Sequence, residues 1–135
     1  MATYNKFNSF VEALAEKVHN LGSDQLMVAL TNTLPTASNT IKANITEVSY
    51  ANLSSRNITT SASSQTSGTY KLVLTDLVLT ASGAVGPFQY VVIYNDTATN
   101  DELIAWFDYG SSILLASGET LTIDFDGTNG LFTLA

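Results

Sequence analysis

Short runs of apolar and β-branched residues, separated by turn-forming residues, fill the chain from residue 69 to the C-terminus. The strongest run, residues 88–94, has few polar positions, so we predict a strand that is covered on both faces. Residues 120–126 instead alternate, with Leu121, Ile123 and Phe125 between polar residues, which predicts a half-buried antiparallel strand. About eight such strands favour an antiparallel β-sandwich or a jelly-roll-like domain.

The N-terminal segment has a different pattern. In residues 5–22 the apolar side chains recur at three- and four-residue steps, which indicates one face of an amphipathic α-helix, and Gly22 can end that helix. The apolar positions are Phe7, Phe10, Val11, Leu14, Val18 and Leu21. We therefore predict a mainly β chain that begins with an arm and helix at 1–22 and continues as a β-domain at 25–135.

Length and composition further limit the kinds of protein that this chain can be. The 135 residues predict a single domain, 1–135, large enough to bury a core. The chain has no cysteine, which excludes disulfides and thiolate metal sites. No apolar run approaches the roughly 18 residues that span a bilayer, and no basic segment precedes an apolar run at the N-terminus. We expect a soluble chain without a classical secretion signal.

Charge is distributed unevenly along the chain. The formal net charge is −7, and residues 72–135 carry acidic side chains but no basic one. Such a surface repels phosphate backbones, so we expect no nucleic-acid partner. It could favour docking on a basic surface, or simply keep a half-exposed sheet soluble. The basic residues are Lys6, Lys17, Lys42, Arg56 and Lys71.

Between the helix and the strong strands, the pattern is weaker. Residues 25–31 predict a buried strand and residues 44–50 a weak one, whereas residues 51–68 form a Ser/Thr/Asn-rich excursion. We expect one poor edge strand within it, near residues 57–60, which a neighbouring subunit could order. Arg56 and Ile58 are therefore candidates for a subunit interface.

The later segments predict specific pairings. Residues 69–74 and 77–81 could be a hairpin or one strand bent at Asp76. Residues 88–94 and 102–108 are expected to pair as a hairpin, residues 113–115 to form a separate short strand, and the C-terminus to dock on the core.

Few residues offer catalytic chemistry. His19 is the only histidine, and its place in the last predicted helical turn is explained by contact with free carbonyl groups. The acidic residues Asp96, Asp101, Glu102 and Asp108 could supply a glycosidase pair, but turn formation is the simpler explanation for them. We expect no enzymatic activity, no catalytic residue and no cofactor.

Two further motifs have structural explanations beside functional ones. Residues 124–130 have the alternating oxygen ligands of part of a calcium loop, but they lack the glutamate and flanking helices of an EF-hand. We expect no metal site. The aromatic residues of the predicted hairpin could form a sugar-binding platform or pair in the core; they are Tyr90, Tyr94, Trp106, Phe107 and Tyr109.

Several segments together resemble a family of small structural proteins of tailed bacteriophages. They are residues 5–22, especially 6–10 and 15–22, with 28–33, 65–74, 86–88, 94–97, 108–112 and 124–130. Residues 50–64 depart from the family pattern, because a glycine-rich loop is expected there.

The resemblance implies a virion protein assembled in the host cytoplasm, with no membrane partner. The leading expectation is a capsid decoration (cement) protein that binds the assembled major capsid protein lattice and stabilises the head. Tail tube, collar or fibre-attachment proteins and a carbohydrate-binding module are alternatives. A homo-oligomer, possibly a trimer, is expected, with interface candidates Phe7, Phe10, Val11 and Leu14 on the helix, beside Arg56 and Ile58.

Overall fold

The computed structural model describes residues 2–135 as a mainly β chain with one short α-helix. The prediction of antiparallel sheets is confirmed, because every strand pairing in this part of the chain is antiparallel. No helix within residues 2–135 is both long and apolar enough to cross a membrane. In chain order, the elements are β1 (Thr3–Lys6), α1 (Ser9–Ala15), β2 (Leu26–Thr31), a 3-10 turn (Lys42–Asn44), β3 (Asn57–Ile58), β4 (Thr60–Thr66), β5 (Thr69–Leu74), β6 (Leu77–Thr80), β7 (Val85–Asn95), β8 (Leu103–Leu115), β9 (Thr120–Ile123) and β10 (Phe132–Leu134).

The strands form three sheets. The largest has the order β1-β8-β7-β2-β3, the second the order β10-β5-β4, and the third pairs β6 with β9. Strands β7 and β8 form the predicted hairpin, from Tyr94 opposite Leu103 to Val85 opposite Leu115. As predicted, the central part of β7 is covered on both faces: Val91 and Ile93 pack in one core cluster, and Val92 and Tyr94 in another.

The N-terminal helix is shorter than the predicted span of residues 5–22. Asn5 and Lys6 lie in β1, opposite Trp106 and Ala105 on β8. The helix ends at Ala15, and Lys17 takes a positive φ of 70° that turns the chain away. The helical spacing misled the prediction because a strand, a short helix and a turn bury apolar residues at the same intervals.

The segments before β5 also differ from prediction. Residues 44–50 form no strand; instead the Asn44 side chain accepts hydrogen bonds from the backbone of Thr40 and Ile41. Within the excursion at residues 51–68, residues 57–58 form β3 at the edge of the five-stranded sheet, close to the expected edge strand. Residues 60–66 form β4, which is joined to β5 through a turn in which Ser67 and Gly68 both have positive φ. Sequence reasoning missed β4 because its side chains are small and polar, so they give no apolar alternation.

The bounds of the strands from β5 onward decide between the alternatives that the sequence left open. β5 and β6 belong to different sheets, so residues 69–81 are not a hairpin. Residues 113–115 continue β8 rather than forming a separate strand, because an irregularity in the β7–β8 register at Gly110, with φ of 81°, accommodates the expected turn. Strand β9 alternates as predicted, and β10 docks the C-terminus on β5.

Candidate functional site

A concave surface, here called the helix groove, has a volume of about 820 Å³. It lies among the segment that follows α1, the β4–β5 hairpin, the end of β10 and the loop before β8. Leu14, Val18 and Leu134 contribute apolar side chains to its lining. Asp24 and Glu102 contribute carboxylates and Lys17 contributes an ammonium group, so the groove combines an apolar surface with charged groups that are acidic on balance.

A buried hydrogen-bond network organises one side of the groove around Asn95, the last residue of β7. The side-chain oxygen of Asn95, Oδ1, accepts hydrogen bonds from the backbone N–H of Thr97 at 3.0 Å and of Ala98 at 3.2 Å. These contacts fix the orientation of the amide. Its nitrogen therefore donates to His19 Nδ1 at 2.9 Å and to Asp24 Oδ2 at 2.7 Å.

The same geometry fixes the state of His19. Because Nδ1 accepts a hydrogen bond, the imidazole is neutral and carries its proton on Nε2. The side chain is only 5% exposed, and Nε2 is buried without a hydrogen-bond partner within residues 2–135. Burial lowers the pKa of His19, whereas the charges of Glu102 and Asp24 oppose that change. Its partner is thus a side-chain amide on β7, not the helix carbonyls that the sequence suggested.

The polar groups around His19 are engaged in positioning the chain. Asp24 Oδ2 also accepts a hydrogen bond of 2.8 Å from the Asn20 backbone. The Ser63 and Tyr70 hydroxyls lie 2.7 Å apart and bond each other. This network holds the segment after α1 against β7, and it gives the groove a fixed wall.

The predicted interface residues do not form one surface. Phe7, Phe10 and Ile58 are 0%, 2% and 3% exposed, because the chain's own core covers them. These three side chains are therefore not accessible to a partner subunit. Val11 is 55% exposed on α1, and Leu14 lines the helix groove nearby.

Arg56 has internal partners as well. Its guanidinium lies 3.8 Å from the centre of the Tyr50 ring and donates to the Val28 carbonyl at 2.7 Å. A second contact reaches the Tyr94 hydroxyl at 3.3 Å. Arg56 thus ties the segment before β3 to β2 and β7, away from the helix groove.

The acidic motif at residues 124–130 is a set of turns. Asp124 accepts from the Asp126 backbone at 2.7 Å, and Asp126 accepts from the Asn129 backbone and side chain, each at 2.9 Å. The Asn129 donors hold the pKa of Asp126 below its ordinary value. No group of three His, Cys, Asp or Glu side chains in residues 2–135 is placed to hold a metal ion.

The other acidic candidates are dispersed among local contacts. Asp101 lies 3.6 Å from the Lys42 ammonium, and Glu102 accepts from the Asn100 backbone at 2.7 Å. Asp108 accepts from Gln89 at 3.1 Å, and this bond lowers the pKa of its carboxyl.

The five aromatic residues of the β7–β8 hairpin do not form one exposed platform. Tyr94, Trp106 and Phe107 are nearly fully buried in the core, Trp106 against Phe7 with ring centres 4.7 Å apart. The core-pair interpretation is therefore correct for these three. Tyr109, together with Phe107, lines a second concave surface of about 610 Å³.

Conversely, sequence reasoning missed Leu134 in the lining of the helix groove and Asn95 as the buried residue that holds His19 and Asp24 in that lining. The one sequence signal for Asn95 is its position as a polar residue directly after the apolar run at residues 88–94.

Comparison with known proteins identifies no relative: no family model, no curated protein and no solved structure matches the chain. The resemblance to phage structural proteins therefore stays a prediction.

Proposed function

We propose that this protein is a non-enzymatic capsid decoration (cement) protein of a phage virion, and that its helix groove docks on the assembled major capsid protein. The observation that carries the proposal is the groove itself, whose lining holds apolar side chains, the two carboxylates of Asp24 and Glu102, and one ammonium group, that of Lys17. Protein–protein contacts combine these features, with an apolar centre and polar groups around it.

The chemistry of the groove defines the partner segment. Leu14, Val18 and Leu134 would contact apolar side chains. Asp24 and Glu102, which outnumber Lys17 in the lining, would attract basic ones. The net charge of −7 extends the same attraction over a longer range. We therefore propose a capsid-protein segment that carries both apolar and basic residues. A protein that binds only the assembled lattice stabilises the lattice by mass action.

We further propose that the domain is a β-sandwich related to a jelly roll. Core side chains from all three sheets support this arrangement, because they belong to one cluster. Val28 and Val91 come from the five-stranded sheet, Leu72 from the three-stranded sheet, and Leu79 and Ile123 from the two-stranded sheet. Such a domain would present the helix groove on a rigid support.

The direct test is the location and copy number of the protein in a density map of the virion that carries it. A decoration protein should cover the head in numbers comparable to the capsid protein. Density along the tail alone would replace this proposal with a tail component, and a few copies per particle would also overturn it.

A matched pair of leucine variants tests the groove. Leu134 is 55% exposed inside the helix groove, and Leu114 is 62% exposed outside its lining. We expect Leu134→Lys to reduce binding to purified capsids by about 10-fold or more, since it places a cation against a basic segment. Leu114→Lys should leave binding within about 2-fold. Equal effects of the two variants would remove the groove from the proposal.

A further inference from the structure

Strand β4 is a sheet edge, and residues 62–66 of it lack the usual protection against pairing with another chain. It is the last strand of the order β10-β5-β4, and β5 is the only strand that pairs with it within residues 2–135. Natural edge strands usually carry a lysine, a proline or a bulge that prevents pairing with another chain. Beyond the irregularity at residue 61, residues 62–66 are regular and contain no charge and no proline.

The turn that follows β4 shows which backbone groups point outward. Ser67 and Gly68 both have positive φ, so the loop is a two-residue hairpin turn closed by the hydrogen-bonded pair Thr66 and Thr69. Hydrogen-bonded pairs alternate with non-bonded ones along an antiparallel ladder. The backbone groups of Ser63 and Gln65 therefore face away from β5 and are free to pair with another strand.

The surrounding charge favours a second copy of this chain at the edge. Two copies with a net charge of −7 repel one another over most of their surfaces. Strand β4 carries no acid, and Lys71 on β5 lies directly opposite Ser64. Strand β4 itself therefore brings no carboxylate to a contact between two copies.

Strand β4 can also pair with β4 of a second copy in one antiparallel register. A two-fold axis at Ser64 places Ser63 opposite Gln65 of the second copy, and Ala62 opposite Thr66. The outward-facing groups of Ser63 and Gln65 then form about four backbone hydrogen bonds. Every side-chain pair in this register is neutral, so none is repulsive.

We propose that two copies of this protein pair through β4, antiparallel and centred on Ser64, to give one continuous six-stranded sheet. This contact closes on itself and gives a dimer, in contrast to the trimer that the phage resemblance suggested. Because Ser63 and Tyr70 line the helix groove, the two-fold places both grooves on the same side of the extended sheet. The inference concerns the isolated protein and does not depend on capsid docking.

The register can be tested by a charge swap at two exposed positions, Ala62 and Thr66. In the double variant A62K/T66K, each introduced lysine faces a lysine of the second copy. In A62K/T66E, each lysine faces a glutamate instead. Both double variants alter the same positions within one chain, so each serves as the folding control for the other, checked by circular dichroism.

Sedimentation velocity over a concentration series up to about 1 mM detects association of the weak kind that a short edge provides. We expect a monomer–dimer equilibrium for the unaltered protein, at least about 10-fold weaker association for A62K/T66K, and recovery to the unaltered level or better for A62K/T66E. A strictly monomeric or trimeric protein would overturn the proposal. Equal behaviour of the two double variants would overturn it as well, because opposite pairing requires them to differ.

Discussion

His19 Nδ1 accepts a hydrogen bond of 2.9 Å from the Asn95 side-chain amide, which is 76 positions later in the chain. The bond joins the segment after α1 to the end of β7. The same amide nitrogen donates to Asp24, so one buried asparagine holds two points of the helix groove. The contact depends on a neutral imidazole, because a protonated Nδ1 would be a donor facing another donor.

Stability should therefore depend on the protonation of His19. Burial lowers its pKa below the ordinary value of 6.5, so the unfolded chain binds the proton more readily. The contribution of neutral His19 is fully present above pH 6.5 and is lost as the pH falls from there toward the folded-state pKa. We expect the free energy of unfolding to fall by at most about 1.4 kcal/mol per pH unit in this window.

Urea unfolding between about pH 7.5 and about pH 5.5 measures this slope, since ordinary carboxyl groups stay ionised there. The control is His19→Gln, which retains an acceptor but does not titrate in this range. The variant should show a flatter dependence on pH. If both proteins have the same slope, His19 is not the group responsible.

Phe10 should be a core residue rather than a docking residue. Its ring meets the Phe132 ring edge-on at 5.1 Å and lies 5.4 Å from the His19 ring. We expect Phe10→Ala to lower the free energy of unfolding by about 3–5 kcal/mol. Val11→Ala, on the exposed side of the same helix, should change it by less than about 1 kcal/mol. Similar losses in chemical denaturation would show that the helix is packed differently.

Alanine substitutions at two glycines with positive φ should distinguish the cost of backbone strain from the cost of a close contact. An added Cβ at Gly130, where φ is 81°, would lie 2.7 Å from the Leu72 carbonyl oxygen, whereas at Gly118, where φ is 85°, it would meet nothing within 4 Å. We expect Gly118→Ala to cost about 1 kcal/mol from backbone conformation alone. Gly130→Ala should cost at least about 1 kcal/mol more, because β10 must shift away from β5. Thermal unfolding of both variants gives the comparison, and equal losses would contradict the contact.

Arg56 should not be replaceable by lysine. Its planar guanidinium stacks on Tyr50 and also donates to Val28 and Tyr94, which a single ammonium group cannot reproduce. We expect Arg56→Lys to lower the free energy of unfolding by about 1–2 kcal/mol. Lys6→Arg, on the edge strand β1, provides a reverse substitution that should be close to neutral. A neutral Arg56→Lys would show that charge alone suffices at this position.

The apolar patterns were sufficient for the strands that form the core. The burial of β2, the two covered faces of β7 and the alternation of β9 follow from side-chain type and from the two-residue repeat of a strand. The same patterns could not place Phe7, Phe10 and Leu21. Their helical spacing is real, yet the chain buries them from a strand end, a short helix and a turn.

Most of the candidate site could not be predicted from the sequence, for a related reason. Asn95 and Asp24 resemble ordinary turn residues in the sequence, and β4 resembles a disordered polar segment. Their roles arise from partners that are distant in the chain: His19 for Asn95, and β5 for β4.

By itself, the sequence determined which segments must be buried, because the free energy of apolar burial depends on side-chain type. It also determined an acidic chain with its basic residues in the first 71 positions. Only the tertiary structure decided where buried polar groups meet and which strand edge is left open. Hydrogen bonds and strand pairing depend on distance and orientation between residues far apart in the chain, and no local pattern records those quantities.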